Sequence, residues 1–272
     1  MGIQSFKAQK GDPDWAFTPA RYFDKEFKVI DAKVFELSKN QAEQIVLRQT
    51  PTEKEMLAKH LRIDIQENAT LDLTIINEAA DRMQQVFIYD IYVREYGQLN
   101  LGLFAKGGRL NKHIIQVKLE NFANFNTYGY LNNDVGGDCE IITKIEHLGS
   151  ASISHQFFAN EAGKDSQTVF QSWVQVDENT EYTQVGVEVS NLVIGEGGKC
   201  QCVPQIFNET RTAKIDCGTD TTFLDPDKIY YLESRGVDKE RAKSIIINKH
   251  RDQALGIIPN EELKQEITQL IS

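Results

Sequence analysis

Apolar residues along this chain alternate with polar or small ones. Leu71/Leu73/Ile75, Leu99/Leu101/Leu103 and Val185/Val187/Val189 each recur at every second position, the period of a strand that buries one face. Strand starts that follow a polar or small-residue turn recur near Ala69, Gly97, Ala123, Ala151 and Asn179, at intervals of 28, 26, 28 and 28 residues. Identity between these units is low. Even so, a regular strand-turn-strand beat without intervening helices predicts stacked coils, a β-solenoid, rather than a parallel sheet with crossover helices. The end coils of such a stack expose apolar surface and need caps.

The pattern changes at both ends. Residues 1–25 contain Gly11-Asp12-Pro13, Trp15 and Phe17 without a sustained period and read as an arm lying on the body. The solenoid core is expected over 26–222. Asp225-Pro226-Asp227 then stops the strands, and the spacing of Ile229, Tyr231 and Leu232 predicts a short helix that breaks at Gly236. Asp238 is placed to cap a second helix over 239–247, and Asn260 a third, on which Leu263, Ile267 and Leu270 share a face. Residues 223–272 therefore form a small helical unit.

Composition narrows the function classes. With 272 residues the chain can bury a substantial core, and with 40 acidic against 30 basic residues its net charge is -10. That charge repels phosphate backbones and anionic membranes. The start MGIQSFKAQKGDPDW carries no apolar run of the signal-peptide kind, and no later stretch reaches membrane-spanning length. A cytoplasmic protein that binds neither nucleic acid nor membrane is expected. In that reducing compartment the four cysteines are expected to be free thiols or ligands rather than disulfides. The chain lacks a Gly-X-X-X-X-Gly-Lys loop and so is not itself expected to bind a nucleotide; Gly195-Glu196-Gly197-Gly198-Lys199 reads as a tight turn between strands.

Three of the cysteines, Cys200, Cys202 and Cys217, fall within eighteen residues. Cys200 and Cys202 flank one residue, so on a strand both thiols point to the same face. If Cys217 lies on a neighbouring strand, the three could converge as soft ligands for zinc, for part of an iron-sulfur cluster, or as persulfide carriers. The plainer reading is that all three pack as small hydrophobes, as Cys139 is expected to do. The five histidines are dispersed, with His147 and His155 the best placed to be more than structural. Asp216, Asp220 and Asp225 could supply acid and base to a carbohydrate-active enzyme. Turn and cap chemistry accounts for them equally well.

Three segments together carry a family resemblance. Asp227-Lys228-Ile229-Tyr230-Tyr231-Leu232-Glu233-Ser234-Arg235-Gly236-Val237, followed by Ala242 and Ile245 to Ile247, is similar to the signature that heads the terminal helices of the SufB/SufD scaffolds of iron-sulfur cluster assembly. Asn191-Leu192-Val193-Ile194-Gly195 with Pro204-Gln205-Ile206 resembles that family's asparagine-leucine strand and the proline strand beyond it. Ile145-Glu146-His147, with Ser154 and Ser166 to Phe170, is a weaker match. The resemblance runs from about His60 to Ile247 and is nearer to SufD-like than SufB-like members.

It implies a mainly β fold, a right-handed parallel β-helix with a small C-terminal α-helical domain. It also implies a non-enzymatic scaffold that pairs through its β-helix as a homodimer or SufB/SufD-like heterodimer. The helical unit over 223–272 would dock a SufC-like ATPase, with Tyr231, Leu232, Arg235 and Gly236 at or under the contact. Thirteen residues beyond the family's proline usually stands a histidine, near where the nascent cluster is thought to form; here that position is Cys217. A thiolate keeps a metal ligand there and makes it softer. The cysteine that SufB-like members carry six residues before the proline is replaced by Gly198, and Cys200 and Cys202 are offered instead. Cys217, Cys202 and Cys200 are thus the candidate ligands or persulfide carriers for a transient iron-sulfur cluster. The chain is also short for this family, without most of its N-terminal helical region. A β-helical carbohydrate-active enzyme and a purely structural solenoid are the alternatives.

Overall fold

A computed structural model describes residues 31–49, 56–258 and 260–271; the arm expected over 1–25 lies outside them. Fourteen strands and three helices are described. One parallel sheet contains β1 (Asp31–Leu37), β3 (Met56–Ile65), β5 (Gln84–Val93), β7 (Leu110–Leu119), β9 (Asp138–His147), β11 (Gln167–Val176) and β13 (Lys199–Asn208), hydrogen-bonded in that order. The other contains β2 (Ala42–Gln49), β4 (Thr70–Ala79), β6 (Gln98–Gly107), β8 (Asn124–Val135), β10 (Ile153–Lys164), β12 (Gln184–Val193) and β14 (Lys214–Phe223), again in order. Odd strands stack on odd and even on even, so each pair of successive strands is one coil of a β-solenoid.

The register reproduces the sequence beat. Thr70 pairs with Gln98, 28 residues on, and Gln98 with Asn124, 26 on. Leu71, Leu73 and Ile75 point into the stack, as do Leu99, Leu101 and Leu103 and later Val185, Val187 and Val189, forming one continuous core between the sheets. Burying such aliphatic side chains stabilises the stack by about 1.5–3 kcal/mol each.

The turns follow a second pattern that no periodicity of apolar residues reveals. Asn68, Tyr96, Phe122, Ala151 and Tyr182 all adopt left-handed backbone, with φ between 55° and 57°. A side chain makes that conformation unfavourable. Each of the first four offsets the cost with an amide bond to the next coil: Asn68 to Glu95 O, Tyr96 to Asn121 O, Phe122 to Ser150 O and Ala151 to Glu181 O, at 2.6–3.1 Å. The last turn falls three residues later than the beat of 28 places it, because residues 177–183 form a longer connection.

Past the final strand come α1 (Pro226–Ser234), α2 (Lys239–Leu255) and α3 (Glu261–Ile271). The side chains of Asp225 and Asp238 cap α1 and α2, accepting from the backbone amides of Asp227 and Arg241. Helices α2 and α3 fold back onto the outer face of the second sheet. There Ala254, Leu255, Leu263, Ile267 and Ile271 cover Ile76, Phe104, Tyr130 and Ala159. Arg251 makes two bonds to the fully buried Glu161 carboxylate, at 3.2 and 3.1 Å, and one to the Tyr130 hydroxyl.

Candidate functional site

Among the described residues, the C-terminal end of the solenoid carries two unpartnered strand edges. β13 closes the first sheet and β14 the second, and all ten residues of β14 are exposed. Phe207, Ile215 and Phe223 stand uncovered around this end, at 49%, 39% and 68% exposure. An edge this long, with unpaired backbone groups, is a ready template for pairing with another chain.

All three clustered cysteines lie at this end, and register decides where they point. Cys202 pairs with Phe170 and Cys217 with Val187, both core residues. Cys200 stacks on Thr168, which stacks on the buried core residue Cys139. Each thiol therefore occupies an inward column, but on the last coil, where inward means toward the open mouth. Cys202 and Cys200 are half-buried and Cys217 is exposed. Cys139 is fully buried in the core.

Burial shapes the chemistry of these thiols. The Cys202 thiol is pushed up to about 12, first by burial and then by the neighbouring Cys217 sulfur. The Cys217 thiol is raised by burial and by Asp216. Burial also raises Cys200, partly offset by the Thr168 hydroxyl that donates to its sulfur at 3.0 Å. At neutral pH the set is protonated, so a soft metal must displace protons to bind. Among the described residues no three His, Cys, Asp or Glu side chains stand close enough together to hold a metal ion. One copy of the chain therefore offers thiols at a mouth, not a closed ligand set.

The other candidates separate clearly. His147 is buried and bridges the Ser152 and Ser154 hydroxyls at 2.8 Å on either ring nitrogen, and burial lowers it to about 4. It is a structural residue. His155 is exposed on the outer face of β10. Asp216 and Asp220 lie on the outer face of β14, four residues apart, which on a strand is about 13 Å; paired glycosidase carboxylates stand about 5–9.5 Å apart. Asp225 is the helix cap. The three do not form an acid-base pair.

Helix α1 presents the second candidate surface. Ile229 is buried, Leu232 half-buried, and Tyr230, Tyr231, Arg235 and Gly236 are exposed. The Arg235 guanidinium lies over the Tyr231 ring, 5.4 Å from its centroid, and Gly236 ends the helix in left-handed backbone at φ 87°. Tyr230 and Tyr231 are 72% and 57% exposed, unusual for large rings with no covering partner.

The chain is thus a parallel β-solenoid with a thiol-bearing end and a helical appendix on one sheet. A family model described as "SUF system FeS cluster assembly, SufBD core domain" matches residues 25–250, and the chain belongs to that family. Its relatives include the chloroplastic protein ABCI7 of Arabidopsis thaliana, 22% identical over 76% of this chain and 44% of that one. The iron-sulfur cluster assembly protein SufD of Escherichia coli is 23% identical over 60% of this chain and 39% of that one. A third, the SufBD family protein ABCI8 of Arabidopsis thaliana, is 25% identical over 54% and 25%. The chain thus spans less than half the length of these relatives. No described helix is long and apolar enough to cross a membrane.

Proposed function

We propose that this chain is a non-catalytic scaffold of an iron-sulfur cluster assembly complex. It pairs through the open end of its solenoid, with a second copy or a SufB/SufD-like partner, and docks a SufC-like ATPase through α1. The observation that carries this reading is the mouth itself: two free ten-residue edges, uncovered apolar rings and three inward-facing thiols in one place. Pairing would satisfy the edges and bring Cys217 and Cys202 of this chain toward the partner's end. The cluster is cargo here. Cys217, Cys202 and Cys200 would hold its iron or carry its sulfur as persulfide only in passing, since the described residues of a single chain form no closed ligand set. Tyr231, Leu232, Arg235 and Gly236 would form the ATPase contact, the nucleotide belonging to that partner. Four free cysteines suit the reducing cytoplasm that the composition suggests.

Gel filtration with light scattering, without and with a SufC-like ATPase, tests both contacts. The chain should run as a pair, and Ile215→Lys with Phe223→Lys should yield monomers that still bind the ATPase. Tyr231→Ala with Arg235→Ala should leave the pair and lose the ATPase. A wild-type monomer at high micromolar concentration would refute the pairing, and unaltered ATPase binding in the α1 variant would refute the docking surface.

A further inference from the structure

The outer face of the second sheet carries a groove that neither proposed contact uses. Beside the helices, two outward columns of side chains run across the strands. One is Asp72, Asn100, Asn126, His155, Gly186 and Asp216; the next is Thr74, Gly102, Tyr128, Phe157, Glu188 and Gly218. Two adjoining cavities of about 490 and 840 Å³ lie along them and share His155, Phe157 and Glu188, so the groove is continuous. Ile257, Leu263 and Gln253 from the α2–α3 region form its wall.

The floor is aromatic and the charge is of one sign. Gly186 lets the His155 ring lie against the sheet, where an added Cβ would meet its Cδ2 at 2.4 Å. Gly102 gives the Tyr128 ring the same seat, with its Cζ 3.1 Å from that position. The carboxylates lining the groove are Asp72, Glu188, Asp216 and Asp220, and the lining contains no lysine or arginine. Asn100 donates to Asp72 at 2.7 Å, whereas Glu188, Asp216 and Asp220 face solvent, with the His155 imidazole the one basic side chain in the lining. The opposite sheet differs: there Lys118 and Lys144 both reach Glu146, and Arg94 joins Asp64 and Glu120.

From this complementarity we infer that the groove binds an arginine- or lysine-bearing peptide segment of a partner protein. Its cations would lie against Glu188, Asp216 and Asp220 and over the Phe157 and Tyr128 rings, where carboxylate attraction and cation–π contact act together. Phosphate-bearing ligands find no lysine or arginine in this lining, and four carboxylates repel them. A neutral saccharide would leave three carboxylates uncompensated. The inference stands apart from the scaffold reading in the surface it uses: the groove is a sheet face, and although Asp216, Gly218 and Asp220 belong to β14, they point outward from the sheet and not along its free edge.

The test is fluorescence anisotropy with a labelled twelve-residue peptide of alternating arginine and serine, titrated with the full chain at physiological salt. Wild type should bind at micromolar concentration. Glu188→Gln with Asp216→Asn should weaken binding about tenfold, since exposed ion pairs contribute up to about 1 kcal/mol each. Gly218→Lys should weaken it at least as much, and because a Cβ there meets nothing within 4 Å that variant should fold as wild type. Asp64→Asn with Glu146→Gln, on the other sheet, should bind as wild type. Equal losses in groove and control variants would mean general attraction to a chain of charge -10, and would overturn the inference. So would groove variants that bind like wild type, or binding of maltohexaose that displaces the peptide.

Discussion

At the scale of single residues, one-dimensional pattern shows the thiols clustered but not which way they point. Cys200 and Cys202 were bound to share a face, since period two allows nothing else. Which face could not be read, because the flanking Lys199, Gln201, Val203 and Pro204 give no clear alternation. Register resolves it through distant partners, Thr168 and Phe170 for β13 and Val187 for Cys217. His147 illustrates the same limit: its serine partners are visible only once the turn after β9 is folded. Histidine burial also has a consequence for stability. His113 is held at about 3 and His147 at about 4, both by burial. Their folded values lie below the usual histidine range, so their contribution is complete above pH 6.5 and is lost as pH falls toward those values. Between pH 6.5 and 4 each costs roughly 1.4 kcal/mol per pH unit. Urea unfolding at pH 7 and pH 5 should differ by roughly 4 kcal/mol in favour of pH 7; equal midpoints would show that neither imidazole is buried neutral.

At the scale of elements, the strands were legible and their company was not. Strands β4, β6 and β12 repeat the same inward apolar triplet, which is why the solenoid and its beat stand out in the sequence, whereas β8 and β10 turn Thr127, Gly129, Ser154 and Gln156 inward at the same positions. The three C-terminal helices were legible too, from Asp225, Asp238 and Asn260 as caps and from the Leu263/Ile267/Leu270 face of α3. Their seat on the second sheet was hidden, because Ile76, Phe104, Tyr130 and Ala159 come from four separate strands and each looks like an isolated outward residue. The left-handed turns were equally hidden, since Tyr96, Phe122 and Tyr182 are not residues that mark such backbone. The pair Arg251 and Glu161 fixes α2 to that sheet, with Glu161 fully buried. Arg251→Ala removes the guanidinium that makes two bonds to that buried carboxylate and should cost about 3–5 kcal/mol, read by chemical denaturation. A cost below about 1 kcal/mol would place the carboxylate in solvent and α2 off the sheet.

At the scale of the whole molecule, the account joins an open solenoid end to cluster assembly. The family membership of residues 25–250 connects the chain with the SUF system of iron-sulfur cluster assembly, and the mouth is where three thiols meet strand edges that are unpartnered among the described residues. Cys217 is the most exposed of the three thiols and occupies the position where the resemblance places a histidine. Cys202 and Cys200 sit deeper, and their raised thiols would make the proposed ligation proton-coupled. Anaerobic reconstitution with ferrous iron and sulfide tests this most directly, read as thiolate-to-iron charge-transfer absorbance. The wild-type chain should develop the bands, Cys217→Ser should lose them, and Cys217→His should retain iron while weakening the thiolate bands. A spectrum unchanged in Cys217→Ser would contradict the assignment of the cluster to the mouth of the solenoid.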